Sequence, residues 1–295
     1  MLQMWVDHVK CAADLRTELS ETIRGFEDQI QQKTKKAAPY LDNLKALVHA
    51  LATEDDPYTL YLRAEFRSAI IAACLISNKS AGHLVGAALD KIVEDSLVKL
   101  KANDPEWKEV LVSRAALTWG DALGGSMRNL VGQQAEAGFL DRLVAILRAK
   151  GLSPNVGTST GGKVNSVSWG TRIVFLNRTC GIVRNNIDAV LTDATAGQPN
   201  LDDPSVYIAC GELKGGIDPA GADEHWKTAR TALDRIRDQF KTEGYAPKLF
   251  FVGAAIESAM ADEIFQRLKD GLLSHAANLT KPAQVTDLCE WLIGL

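Results

Sequence analysis

Hydrophobic positions in the first 150 residues recur at helical spacing. Over residues 12–34, Leu15, Leu19, Ile23, Phe26 and Ile30 fall four, four, three and four apart, an apolar stripe that predicts one amphipathic helix. Pro39 is expected to open a second helix through Leu51, and Asp55-Asp56-Pro57 to break the pattern again. Residues 66–75 read as a buried run and 84–100 as a further amphipathic helix. Gly124-Gly125 is expected to interrupt the next helix, and residues 139–149 close the helical region before Gly151.

After Gly151 the period changes. Residues 171–177 (TRIVFLN), 187–191 (IDAVL), 206–214 (VYIACGELK) and 248–254 (KLFFVGA) are short β-branched or aromatic runs bounded by Gly, Pro and Asn, the pattern of strands. Between the third and fourth, Trp226, Ala229, Leu233, Ile236 and Phe240 repeat at 3-4-3-4 spacing, and Gly244 supplies a helix stop. A last helix is expected over 258–273. Strands two and three lie close enough for an antiparallel hairpin, whereas the helical crossover sets three and four parallel. The fold expected is α/β, a central mixed sheet flanked by helices. The division expected is a mainly α-helical region over 1–130 and a sheet-containing core over 131–295.

Composition narrows the classes. With 295 residues, 46% hydrophobic and 24% charged, the chain can bury a core, which excludes wholesale disorder. No run approaches the ~18 apolar residues of a membrane span. The first fourteen residues carry charges and no small-residue cleavage site, unlike a signal peptide. Five scattered cysteines without a C-x-x-C pair point to a reducing, cytoplasmic setting and away from disulfides or a zinc knuckle. A net charge of −4 excludes polyanion binding by bulk positive charge. Locally the balance reverses: residues 142–187 hold no Asp or Glu, yet contain Arg142, Arg148, Lys150, Lys163, Arg172, Arg178 and Arg184. That stretch is either an ordinary solvated basic segment or a phosphate-facing surface.

Candidate chemistry concentrates on Asp188 and on Gly-Glu-Leu-Lys at 211–214. Side chains at i and i+2 of a strand share a face, so Glu212 and Lys214 stand side by side. Asp188 is a lone acid in an otherwise apolar strand, and pairing of strands two and three brings it to the same face. Two carboxylates and a lysine make a hard-oxygen cluster suited to Mg²⁺, which would polarise a phosphoryl oxygen and acidify bound water. E-x-K is also a common surface ion pair. Its place at the end of the apolar run Tyr207-Ile208-Ala209-Cys210, with an isolated acid on the preceding strand, favours the buried, functional alternative.

Asp188 with Glu212-x-Lys214 resembles the PD-(D/E)XK nuclease superfamily. The block running from Gly211 through Ala229 resembles more specifically the AvaI/BsoBI group of type II restriction endonucleases, in which a histidine lies eleven residues after the lysine; His225 stands there. Ile187 replaces the proline that usually precedes the first acid. The resemblance implies a restriction-endonuclease-like core and a homodimer that hydrolyses double-stranded DNA with Mg²⁺ at a palindromic, C/G-rich degenerate site, leaving 5′-phosphate and 3′-hydroxyl ends. It makes Asp188 and Glu212 the metal ligands, sets Lys214 beside the attacking water, and makes His225 a water-positioning group or general base. The N-terminal region would serve dimerisation and DNA enclosure, and a cognate DNA methyltransferase would be the functional counterpart. Two alternatives remain, a structure-specific repair or junction nuclease and a non-catalytic DNA-binding member of the superfamily.

Candidate DNA contacts are Lys163, Arg178, Arg184, Asn185 and Lys227, since base and phosphate readout rests on such side chains. Gly157-Thr-Ser-Thr-Gly-Gly-Lys163 nearly matches a phosphate-binding loop, but Val164 stands where a hydroxyl is required and neither strand nor helix flanks it, so a loop is expected. Glu94 and Glu136 are candidate extra acids near the metal, each also compatible with a solvated helix face. Trp169 is a candidate for stacking on DNA, against a core alternative. His49 and His83 sit in helical apolar patterns and read as structural. Asp218 before Pro219 marks a helix start.

Overall fold

The computed structural model describes residues 7–84 and 86–295, so the first six residues of the stretch judged against a targeting signal lie outside the described part. Two compact units emerge, one of Glu27–Asn129 and one of Leu130–Leu295 together with the chain before Glu27. The second unit also takes in the N-terminal segment. The reason is a set of long-range bonds: the Asn278 amide donates to the Leu15 carbonyl and to Thr17 Oγ1, both at 2.8 Å, and the Thr17 hydroxyl donates to the Ala254 carbonyl at 2.6 Å. No local pattern announces these bonds.

The helical unit is built from parts of α2 (Leu19–Leu51) and α7 (Trp107–Ala149) with α3 (Pro57–Leu62), α4 (Ala64–Ala73), α5 (Asn78–Ala81) and α6 (Ala87–Asn103). Its core joins Leu47, Leu60, Tyr61, Ile70, Val93, Leu97, Leu111 and Trp119. Two expectations fail here. Pro39 lies inside α2 instead of opening a helix, and Gly124-Gly125 lies inside an unbroken α7. The flanking turns outweigh one lost backbone bond and about 1 kcal/mol per glycine. The apolar stripe is a third correction. A short helix α1 (Ala12–Leu15) ends at extended Arg16, and only Leu15 is buried, whereas Leu19, Ile23, Phe26 and Ile30 are exposed.

The second unit carries a seven-stranded sheet in sequence order: β1 (Asn155–Thr158), β2 (Val164–Trp169), β3 (Arg172–Cys180), β4 (Asn185–Asp193), β5 (Tyr207–Lys214), β6 (Lys248–Gly253) and β7 (His275–Asn278). Neighbours are antiparallel as far as β5, and β5, β6 and β7 are parallel, the mixed sheet expected. One face packs on α8 (Ala222–Thr242), α9 (Ser258–Lys269) and Leu15 through Ile187, Val190, Cys210 and Phe251. The other packs on the end of α7 and on α10 (Pro282–Gly294) through Leu176, Ala189, Leu191, Leu213 and Phe250. The five apolar positions of α8 are all buried, as their spacing requires. Residues 157–163 end β1 and form the turn of the β1–β2 hairpin over 159–163, closed by Ser159 N–H to the Lys163 carbonyl at 2.8 Å, with Gly162 at φ 75°. A phosphate-binding strand–loop–helix is therefore ruled out there. Trp169 is buried in the core on the α7 side, which removes it as a DNA-stacking candidate.

Candidate active site

Alternation along β5 sets the site. Leu213 points into the α7–α10 layer, so Glu212 and Lys214 point to the opposite face, the one that α8 covers. Register does the rest: Ala189 pairs with Gly211, which puts Asp188 across from Glu212 on the antiparallel neighbour. Lys214 Nζ lies 2.7 Å from Glu212 Oε2 and 2.8 Å from Asp188 Oδ2. The Leu213 N–H donates to the same Asp188 oxygen at 3.0 Å, a backbone contact with no signal in the sequence. Three side chains singled out in the sequence thus meet at one point.

Their electrostatics are those of a site short of positive charge. Glu212 is only 4% exposed; burial, and then the neighbouring Asp188 charge, push its carboxyl up to about 7. Burial works against the Lys214 ammonium, but the Glu212 and Asp188 carboxylates together hold its pKa above the ordinary value. One ammonium therefore serves two carboxylates. Among the described residues no three His, Cys, Asp or Glu side chains gather as a metal-binding group. The oxygen donors that the cluster itself offers are the carboxylates of Asp188 and Glu212.

Glycines frame the strand end. A Cβ on Gly215 would lie 2.5 Å from Ala135 Cβ and 2.9 Å from the Val131 carbonyl oxygen, so glycine admits α7 against the end of β5. A Cβ on Gly216 would lie 2.9 Å from His225 Cε1; the His225 ring, in the first turn of α8, thus rests against backbone two residues beyond Lys214. Asp218 caps the 3-10 turn Pro219–Gly221 that leads into α8, accepting from the Ala220 N–H at 3.0 Å.

The remaining candidates are dispersed. Glu136, on α7, accepts from Lys163 Nζ at 2.6 Å, so it is committed to an ion pair. Glu94 is exposed on α6 in the helical unit. Arg184 and Asn185 are exposed at the β3–β4 turn, Arg184 at φ 54°. Lys227 is exposed on α8 and paired with Asp223 at 2.5 Å. The basic stretch is partly neutralised from outside itself: Lys150 by Glu290, Lys163 by Glu136 and Arg172 by Asp193.

Comparison with known proteins gives the family. A family model described as restriction endonuclease BsobI matches residues 5–160 and 154–295. The chain is 38% identical to the type II restriction enzyme AvaI of Nostoc sp. (strain PCC 7120 / SAG 25.82 / UTEX 2576) and equally to that of Anabaena variabilis, over 98% of each chain. It is 34% identical to the type II restriction enzyme BsoBI of Geobacillus stearothermophilus, again over 98% of both. Matched along nearly its whole length, the chain belongs to the BsobI restriction endonuclease family.

Proposed function

We propose that this chain is a Mg²⁺-dependent type II restriction endonuclease of the PD-(D/E)XK kind. It acts as a homodimer on a palindromic, C/G-rich degenerate site in double-stranded DNA and leaves 5′-phosphate and 3′-hydroxyl ends. The observation that carries the reading is Lys214 held between Asp188 and Glu212, with His225 against the adjoining backbone. Asp188 and Glu212 would hold the metal, whose chemistry there is to polarise a phosphoryl oxygen and acidify bound water. Lys214 offers a preorganised ammonium for charge that develops on the phosphate in the transition state. His225 would orient the attacking water and accept its proton. The Leu213 N–H fixes Asp188 before substrate arrives. A cognate methyltransferase would protect the host's own sites, and the cytoplasm is the compartment consistent with the cysteine pattern. Among the described residues no helix is long and apolar enough to cross a membrane.

Glu212→Ala and Lys214→Ala should each abolish plasmid cleavage while folding and DNA retention persist, and EDTA should abolish cleavage by the unaltered protein. Undiminished cutting by either variant would refute the site. A smear in place of discrete fragments would refute sequence-specific cleavage.

A further inference from the structure

Arg178 is the cation of the basic stretch that keeps a buried donor without a partner. Among the described residues its guanidinium makes no hydrogen bond and no ion pair, its Nε is buried without a partner, and it lies over the Phe175 ring at 5.2 Å. Leaving a buried donor without a partner is unfavourable, so the group is set up for an acceptor. Arg178 borders a cavity of about 150 Å³ shared with Ser159, Lys163, Asn165 and Asn177. Lys163 is already neutralised by Glu136, which leaves Arg178 as the cavity's uncompensated charge.

The backbone beside it is unusual. Asn177, in the middle of β3, sits at φ 50°. The β3–β4 ladder pairs Leu176 with Ala189 and Arg178 with Ile187 but omits the position between, so Asn177 faces Asp188 across a local break. Left-handed backbone inside a strand is strained for a residue other than glycine and recurs where a ligand is held.

Every polar side chain bordering the cavity can donate a hydrogen bond. The volume is room for a phosphate with some hydration but well below a drug-sized pocket. We propose that this cavity binds one phosphate of the DNA backbone. Arg178 is its charged ligand, and Asn165, Asn177 and Ser159 are neutral donors. The proposal rests on the nuclease reading above and adds to it a sequence-independent anchor that positions the duplex next to the strand carrying Asp188.

The test compares wild type with Arg178→Gln. Binding is measured in EDTA, as a function of salt, to two fluorescent duplexes of equal length. One contains a sequence that wild-type protein has been found to cut in a plasmid; the other does not. The expected result is about a tenfold loss of affinity on both duplexes. The slope of log K against log salt should also shrink by about 0.9, the signature of one lost phosphate contact. Loss confined to the cleavable duplex, with an unchanged slope, would make Arg178 a base reader and overturn the proposal; so would unchanged affinity. Asn177→Gly, which suits φ 50° without strain, should weaken both duplexes about threefold at constant slope, and it decides the matter should Arg178→Gln fail to fold. Wild type that binds neither duplex would sink the nuclease reading as well, whereas wild type that binds and cuts beside equally tight variants would sink this inference alone.

Discussion

Gly211 shows how a residue without functional groups controls the charged ones beside it. It precedes Glu212 on β5, and a Cβ there would lie 2.2 Å from Phe250 Cε2, on a ring that is 1% exposed and locked in the α7–α10 layer. The ring is buried, so Gly211→Ala must displace either Phe250 or the strand. Overpacking of this kind costs about 1–3 kcal/mol. Because the strand also carries Glu212 and Lys214, the shift should reach the 2.7 Å and 2.8 Å contacts that gather the site. The expected outcome is a lower thermal midpoint together with slower plasmid cleavage. Full activity at a reduced midpoint would show that the strand holds its register and the ring yields.

Among elements, what the sequence disclosed followed the reach of its patterns. The runs at 171–177, 187–191, 206–214 and 248–254 correspond to β3, β4, β5 and β6, since each is long and β-branched enough to mark itself. With the alternation rule, those strands suffice to bring Asp188, Glu212 and Lys214 together. β1, β2 and β7 are short or polar: Val164-Asn-Ser-Val-Ser-Trp169 and His275-Ala-Ala-Asn278 carry little strand signal, and their partners in the sheet, not their composition, define them. β7 is also where the N-terminal segment docks. Asn278, fully buried, donates to Leu15 and Thr17, accepts from Thr280, and its own N–H reaches Gln284 Oε1 at 2.9 Å. A contact 263 residues distant in sequence has no local signature. Asn278→Ala should leave several buried polar groups unpaired, costing about 1–3 kcal/mol for each group left wholly unsatisfied. Limited proteolysis should then release residues before Glu27 faster than from wild type. Unchanged protection there would mean that Val9 and Leu15, buried against α9 and its neighbours, hold the segment without Asn278.

For the whole molecule, two buried groups tie stability to pH with opposite sign. His275, 1% exposed on β7, has its pKa pushed by burial down to about 4 from an ordinary 6.5. Between those values the unfolded chain takes up a proton that the folded chain refuses, so stability falls as pH drops from about 6.5 to 4, by roughly 3 kcal/mol at about 1.4 kcal/mol per unit. Glu212 is displaced the other way, up to about 7 from an ordinary 4.5. The folded chain now takes the proton first, so this contribution is fully present below about pH 4.5 and is lost as pH rises toward 7. Across pH 4.5–6.5 the two slopes oppose each other, and the metal-free protein should be less acid-sensitive there than His275 alone would make it. Glu212→Gln removes one arm, so its stability should decline more steeply than wild type below pH 6.5. His275→Phe removes the other and should decline less steeply, or gain, over the same range. Denaturant unfolding of all three proteins in EDTA at pH 7, 6 and 5 reads the slopes directly. Carboxylates held low elsewhere, such as Asp193 beside Thr195, titrate in every variant and cancel from the differences. Three parallel curves would mean that neither group changes its protonation on folding in this window, and would remove the electrostatic account of a β5 end short of positive charge.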